Sequence, residues 1–237
     1  MGLFLWDSEP SKIFVGDTAI SKVFLWDAQV RPTWWLPSEY QEVEYIQSSW
    51  TQSINTWVYM NPNYTVEVKY QLATFNSNYQ TIFWCRRWNY EKFVARFRKS
   101  DWTLALQRAK NATAVWENKW DYSGYYDSNI HTIKMNMYGY MDDTLLCTFS
   151  SSTFTGHFSI TLYLFALNAS ELSTPIVDFA EMKLYSAKIY DTDETTLIRN
   201  FVPCYRKSDN VIWVYDLATN TFYTNAGTGT FTKWWDV

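Results

Sequence analysis

Two histidines, His131 and His157, are the only side chains whose ordinary pKa suits proton transfer near neutral pH. His131 falls in an alternating stretch, Ile130 to Met137, and His157 follows Gly156 in a loop, so both read as structural residues. A serine hydrolase needs a positioned nucleophile, and no Gly-x-Ser-x-Gly elbow is present. Glycosidic cleavage needs two carboxylates flanking the bond. Glu42 and Glu44 have same-face spacing on a strand, but no Glu-x-Asp-x-Glu pattern accompanies them, and they read as the solvated face of that strand. Asp191, Asp193 and Glu194 offer oxygens in one turn, fewer than the six to eight that calcium takes, and Asp142-Asp143 falls short for the same reason. Cys85, Cys147 and Cys204 are an odd set without a C-x-x-C pair, which predicts buried free thiols rather than a disulfide framework or zinc site. The sequence therefore nominates no catalytic, cofactor-binding or metal-binding residue, predicts no cofactor and no enzymatic activity, and leaves any ligand-binding residues unassigned.

Charge and hydropathy narrow the partners. A net charge of −4 supplies no basic field for a phosphate backbone, so nucleic acid is not an expected partner. No run of about 18 apolar residues exists, and Met1 to Pro10 lacks a basic segment followed by a long apolar one. Neither a membrane span nor a classical signal peptide is expected.

The elements that would carry any site begin with a repeat. Leu3 to Ser8 (LFLWDS), Ile13 to Thr18 (IFVGDT) and Val23 to Ala28 (VFLWDA) align at a constant spacing of ten, each with three apolar residues and then a turn. The middle copy turns on Gly16-Asp17, where glycine reaches positive φ without a Cβ clash. The outer copies place Trp6 and Trp26 in that slot, where a bulky residue costs about 1–2 kcal/mol. Composition repeats the contradiction: the chain holds 14 Trp and 7 Gly, whereas average usage of about 7% predicts roughly 17 Gly. These observations suggest that UGA is a glycine codon in the source and has been read as tryptophan. The competing explanation is a set of genuine tryptophans forming a core or a sugar-stacking platform.

Pro32 to Pro37 (PTWWLP) reads as a linker between an N-terminal β-repeat, residues 1–31, and a larger domain, residues 38–237. In that domain Val66, Val68 and Tyr70 alternate with Thr65, Glu67 and Lys69, and Ile133, Met135 and Met137 alternate with Thr132, Lys134 and Asn136. Period two predicts strands with one packed and one wet face. Phe158 to Leu167 is almost continuously apolar, as expected of a central strand buried on both faces. Val211 to Tyr223 predicts a hairpin turning around Asp216 to Asn220, with Thr230-Phe231 as a closing strand. No amphipathic helix is convincing, so the expected class is all-β, an antiparallel sandwich or barrel.

Glu39 through Trp57 (EYQEVEYIQSSWTQSINTW) resembles the opening strands of concanavalin-like or laminin-G-like domains of phage tail and virion structural proteins. The stretch from Lys183 to Lys233, containing KLYSAKIYD and LIRNFVPCYRKSDNVIWVYDLATNTFYTNAGTGTF, carries a second and more specific likeness. Phe83-Trp84 looks like a Phe-Gly pair of such proteins, and the repeat resembles their short leaders. Residues 86–129 match least. The resemblance implies glycine at the slots of Trp50, Trp57 and Trp213. It also implies a concanavalin-like antiparallel β-sandwich (jelly roll) with a short N-terminal β-repeat, in a non-enzymatic virion or tail protein made in the host cytoplasm. Its sandwich would serve as a decoration or receptor-binding module. The implied partners are other virion subunits, a host-surface glycan and further copies of the chain. Two alternatives stay open: a lectin-like adhesin, with Tyr125 and Tyr126 stacking on sugar, and a glycan depolymerase.

Overall fold

A computed structural model describes residues 13–15, 18–20, 23–25, 28–30, 36–74, 79–87, 91–98, 103–110, 123–149, 156–169 and 176–237. The chain divides into two compact units, Met1–Trp35 and Leu36–Val237. In the first, β1 (Ile13–Val15) pairs with β2 (Thr18–Ile20) and β3 (Val23–Leu25) with β4 (Ala28–Val30), both antiparallel. Val15 faces Thr18 and Leu25 faces Ala28, so two residues separate the strands of each hairpin. Those residues, Gly16-Asp17 and Trp26-Asp27, lie outside the described set, as does the first copy of the repeat.

The second unit is all-β. Its first strands are β5 (Tyr40–Glu42), β6 (Ile46–Gln47), β7 (Ile54–Tyr59), β8 (Thr65–Leu72), β9 (Tyr79–Arg87), β10 (Glu91–Arg98) and β11 (Thr103–Lys110). After a 3-10 turn at Ser123–Tyr125 come β12 (Ile130–Met135), β13 (Tyr138–Met141), β14 (Thr144–Thr148), β15 (Thr161–Leu164), β16 (Leu167–Ala169) and β17 (Ile176–Val177). The chain finishes with β18 (Met182–Tyr190), β19 (Leu197–Arg206), β20 (Val211–Asp216), β21 (Thr221–Tyr223) and β22 (Thr232–Lys233). The larger sheet runs β14-β13-β12-β8-β18-β19-β20-β21, with β5, β6 and β22 attached beside β18 and β19. The smaller runs β11-β10-β9-β15-β7 and adds β16 and β17. Pairing is antiparallel except between β16 and β9, which are parallel.

The two sheets share one core, which gives the unit its β-sandwich-like character. Val66, Val68 and Tyr70 of β8 and Ile133 and Met135 of β12 join Phe83, Phe93, Phe97 and Leu104 of the smaller sheet in one buried cluster. The period-two reading of β8 and β12 describes this face. Thr65 and Asn136 depart from it: both are buried, because the Asn136 side-chain amide donates to the Thr65 hydroxyl (3.2 Å) and a Glu194 carboxylate oxygen (2.8 Å). Buried polar atoms need such partners, and here they convert a wet position into a packed one.

The apolar run Phe158 to Leu167 is not one strand. It divides into β15 and β16 at Phe165, whose φ is 68° and whose N–H donates to the Ile82 carbonyl (3.1 Å). β15 does lie inside the smaller sheet, between β9 and β7, with all four residues buried. The C-terminal hairpin forms with Asp216 at its base. The buried Asp216 carboxylate accepts from the N–H groups of Asn200 (2.7 Å) and Ala218 (3.0 Å) and from the Thr219 hydroxyl (2.6 Å). The closing strand lies two residues beyond the expected Thr230-Phe231, at Thr232–Lys233, while Phe231 is buried against Phe165 and Trp213.

Candidate functional site

β7 is an end strand of the smaller sheet, and its outer residues help build a concave surface. Asn55 pairs with Tyr163 and Tyr59 with Thr161, so β7 spends two more residues than β15 over the same interval. The excess bulges β7 at Trp57, whose φ of 55° is left-handed. A bulge favours glycine there, because only glycine takes αL without a Cβ clash. Below the bulge Thr56 points inward and donates to the Leu162 carbonyl (2.8 Å), while Trp57 (65% exposed) and Tyr59 (54%) stand out in solvent.

Trp57 and Tyr59 line a cleft of about 500 Å³ with Tyr64, His157, Phe158 and Arg199. His157 Nε2 lies 2.8 Å from the Tyr64 hydroxyl, and the two rings meet edge to face. Arg199 is anchored from behind: Nε donates to the Thr56 carbonyl (3.0 Å) and lies 3.5 Å from the Asp216 carboxylate. The cleft thus offers exposed aromatic faces, one imidazole-phenol pair and the flank of a guanidinium. Those groups suit recognition of a ring-bearing polar ligand by stacking and hydrogen bonding.

The other residues singled out by sequence are occupied structurally. Glu42 and Glu44 are exposed, Glu42 at the end of β5 and Glu44 just beyond it. Asp193 accepts from the N–H groups of Thr195 (2.9 Å) and Thr196 (2.8 Å) and from the Thr196 hydroxyl (2.6 Å). Those donors hold its carboxyl well below the usual carboxylate range. Glu194 accepts from Asn136 and lies 3.7 Å from Lys134, so it ties the loop to the end of β12. Among the described residues no group of three His, Cys, Asp or Glu side chains could hold a metal ion. Cys85, Cys147 and Cys204 are buried and not joined in disulfides. Burial pushes the Cys85 thiol well up and that of Cys204 to about 12. Tyr125 and Tyr126 turn inward: Tyr125 meets the His131 ring edge-on at 5.5 Å and Tyr126 meets Phe97 at 5.4 Å. Both are half-buried against the core.

The tryptophans sort by backbone. Trp50 and Trp57 have φ of 77° and 55°, whereas most other non-glycine residues at positive φ are Asp, Asn or Glu in turns. Trp50 sits in a tight junction where Thr228 N–H donates to the Thr51 carbonyl (2.8 Å) and Ala226 N–H to that of Ser53 (2.9 Å). A Cβ on Gly227 would collide with the Thr51 carbonyl oxygen, so that side of the junction requires glycine. Trp84 and Trp213 are buried on β9 and β20, and neither indole N–H has a hydrogen-bond partner. A buried tryptophan ordinarily finds one. Trp84 nonetheless packs on Val94, Leu167 and Ala169, with the Arg96 guanidinium 4.1 Å from its ring.

No protein-family model matches the chain, and no curated protein matches it significantly. Among the described residues no helix is long and apolar enough to cross a membrane.

Proposed function

We propose that this chain is a non-enzymatic structural protein of a phage-like particle. Its N-terminal hairpin repeat attaches to other virion subunits, and a concanavalin-like jelly-roll sandwich is displayed as a decoration or receptor-binding module. Several of its tryptophan codons are UGA, read as glycine in the source. One observation carries this reading: Trp57 occupies a left-handed position at the centre of a strand bulge, within the stretch where similar virion proteins carry glycine. Trp50, also left-handed, and Trp213, buried with an unpartnered indole N–H, occupy the other two glycine slots and support it independently. The division into a hairpin unit and a sandwich-like unit suits a particle protein with one part for attachment and one for display.

Purified particles from the source provide the test. An antibody raised against the sandwich is expected to decorate intact particles in electron micrographs, and the protein to co-sediment with them. Recovery only in the free protein fraction would overturn the assignment.

The cleft favours a second reading, a glycan-binding adhesin, with Trp57 and Tyr59 as stacking faces. That reading needs a genuine tryptophan at residue 57. Uniform UGG codons at Trp50, Trp57 and Trp213, together with loss of glycan-array binding in Trp57→Ala, would favour it over the first.

A further inference from the structure

His131 lies on β12 with its side chain 8% exposed and a carboxylate at each ring nitrogen. Nδ1 is 2.6 Å from Asp142 Oδ2, and Nε2 is 2.9 Å from Asp127 Oδ1. A neutral imidazole carries one N–H and can donate to only one of them; an imidazolium donates to both. The two aspartates belong to different segments. Asp142 is in the turn joining β13 to β14, where it and Asp143 both have positive φ, 47° and 62°. Its second oxygen accepts from the Thr132 N–H at 2.8 Å. Asp127 lies in the loop ahead of β12 and accepts from the Asn129 N–H (2.7 Å) and side-chain amide (2.8 Å).

The turn is a two-residue hairpin whose successive positive φ values aspartate accommodates, and the Asp142 N–H donates to the Thr132 carbonyl (2.9 Å). Its adjacent carboxylates nonetheless repel, and a charged imidazole beside them offsets that repulsion. Among the described residues, two tyrosine rings also face the imidazole: Tyr70 of β8, 6.3 Å away between centroids, and Tyr125 of the 3-10 turn, edge-on at 5.5 Å. Burial pushes the Tyr70 hydroxyl well above its ordinary value, so it contributes no charge near neutral pH. Among the described residues no lysine or arginine forms an ion pair with Asp127 or Asp142, which leaves the imidazolium as their counter-charge.

We propose that His131 is a proton-operated latch that, when charged, pins both the β13–β14 turn and the 127–129 loop to β12, and when neutral releases one of them. Of the two segments, the β13–β14 turn lies at the end of the larger sheet, because β14 is its terminal strand. An end strand is where a neighbouring chain can add by strand pairing, so the latch governs how rigidly that edge is presented. Burial alone would lower the His131 pKa, but the hydrogen bonds and charges of Asp142 and Asp127 outweigh it and raise the pKa. The latch is therefore closed on the acid side of that raised pKa and opens as pH climbs through it. This inference is independent of the particle assignment, since it concerns a side-chain cluster that holds wherever the protein resides.

The test is a titration of the intact protein by long-range proton–nitrogen NMR of the two imidazoles, with amide exchange followed over residues 127–129 and 142–146. Both His131 nitrogens are expected to remain predominantly protonated at pH 6.5, where a free histidine is about half neutral. Asp127→Asn, in a loop outside the core, is expected to lower the His131 pKa by on the order of one unit. Above the His131 pKa, amide exchange in the turn or in the 127–129 loop, corrected for intrinsic rate, should quicken about tenfold or more while the core of β8 is unchanged. A single neutral tautomer at pH 6.5 would overturn the latch, as would amide exchange indifferent to the titration over both residues 127–129 and residues 142–146. The wild-type titration decides this even should the variant fail to fold.

Discussion

Replacing Trp57 by both glycine and alanine isolates the backbone term at the bulge. Each variant removes the same indole, so the difference between them reports the cost of a Cβ at φ 55°. Left-handed backbone costs a non-glycine residue about 1–2 kcal/mol. Against this, glycine loses about 0.5–1 kcal/mol relative to alanine through the greater freedom of its unfolded chain. Trp57→Gly should therefore be more stable than Trp57→Ala by about 1 kcal/mol, or roughly 2–4 °C in Tm for a unit of this size. Tyr59, two residues along β7, provides the control because it is similarly exposed and lacks a positive φ. There the order should invert, with Tyr59→Ala above Tyr59→Gly by about 0.5–1 kcal/mol. Urea titration of the four variants gives both differences. Alanine equal to or better than glycine at residue 57 would refute the claim that this position is built for glycine.

Other expectations follow from named contacts. Gly227→Ala drives a Cβ into the Thr51 carbonyl and should cost more than about 1–3 kcal/mol, read as a fall in the urea midpoint. Asp216→Ala leaves the Asn200 N–H without its buried acceptor and the Arg199 guanidinium without its buried counter-charge, and should cost about 3–5 kcal/mol. The His131 contribution to stability should be complete below the ordinary histidine pKa and disappear as pH rises through the raised folded value. Paired pH–stability curves of wild type and Asp127→Asn should show that loss shrinking in the variant. The thiols of Cys85 and Cys204, buried and pushed upward in pKa, should resist a thiol reagent at pH 8 in the folded protein and react on unfolding.

Local pattern made much of the fold legible. Alternation along Val66 to Tyr70 and Ile133 to Met135 marks the core-facing side of two neighbouring strands, and Asp216 to Asn220 marks a turn. Phe165 was hidden because an apolar run looks the same whether it continues as a strand or breaks at a left-handed residue. The buried state of Thr65 was hidden because its partner, Asn136, comes opposite it only through the pairing of β8 with β12, 71 residues along the chain.

The sites were less legible, since each is assembled from distant segments. The cleft joins β7, the stretch containing Tyr64, the His157–Phe158 segment and β19. His131 meets Asp142 only because β12 and β13 fold back as a hairpin, and from sequence alone Asp142-Asp143 suggested a metal loop falling short of its ligands. The ten-residue repeat and the shortage of glycine raised the expectation of glycine at tryptophan slots, and Trp50 and Trp57 take left-handed φ, a conformation that favours glycine.

Peptide mass spectrometry of purified native particles, searching every tryptophan position as both tryptophan and glycine, tests particle residence and codon meaning together. Peptides of this protein from the particles, carrying glycine at residues 50, 57 and 213, are the expected result. Tryptophan at all three positions, or no peptides of the chain in the particle fraction, would contradict the account.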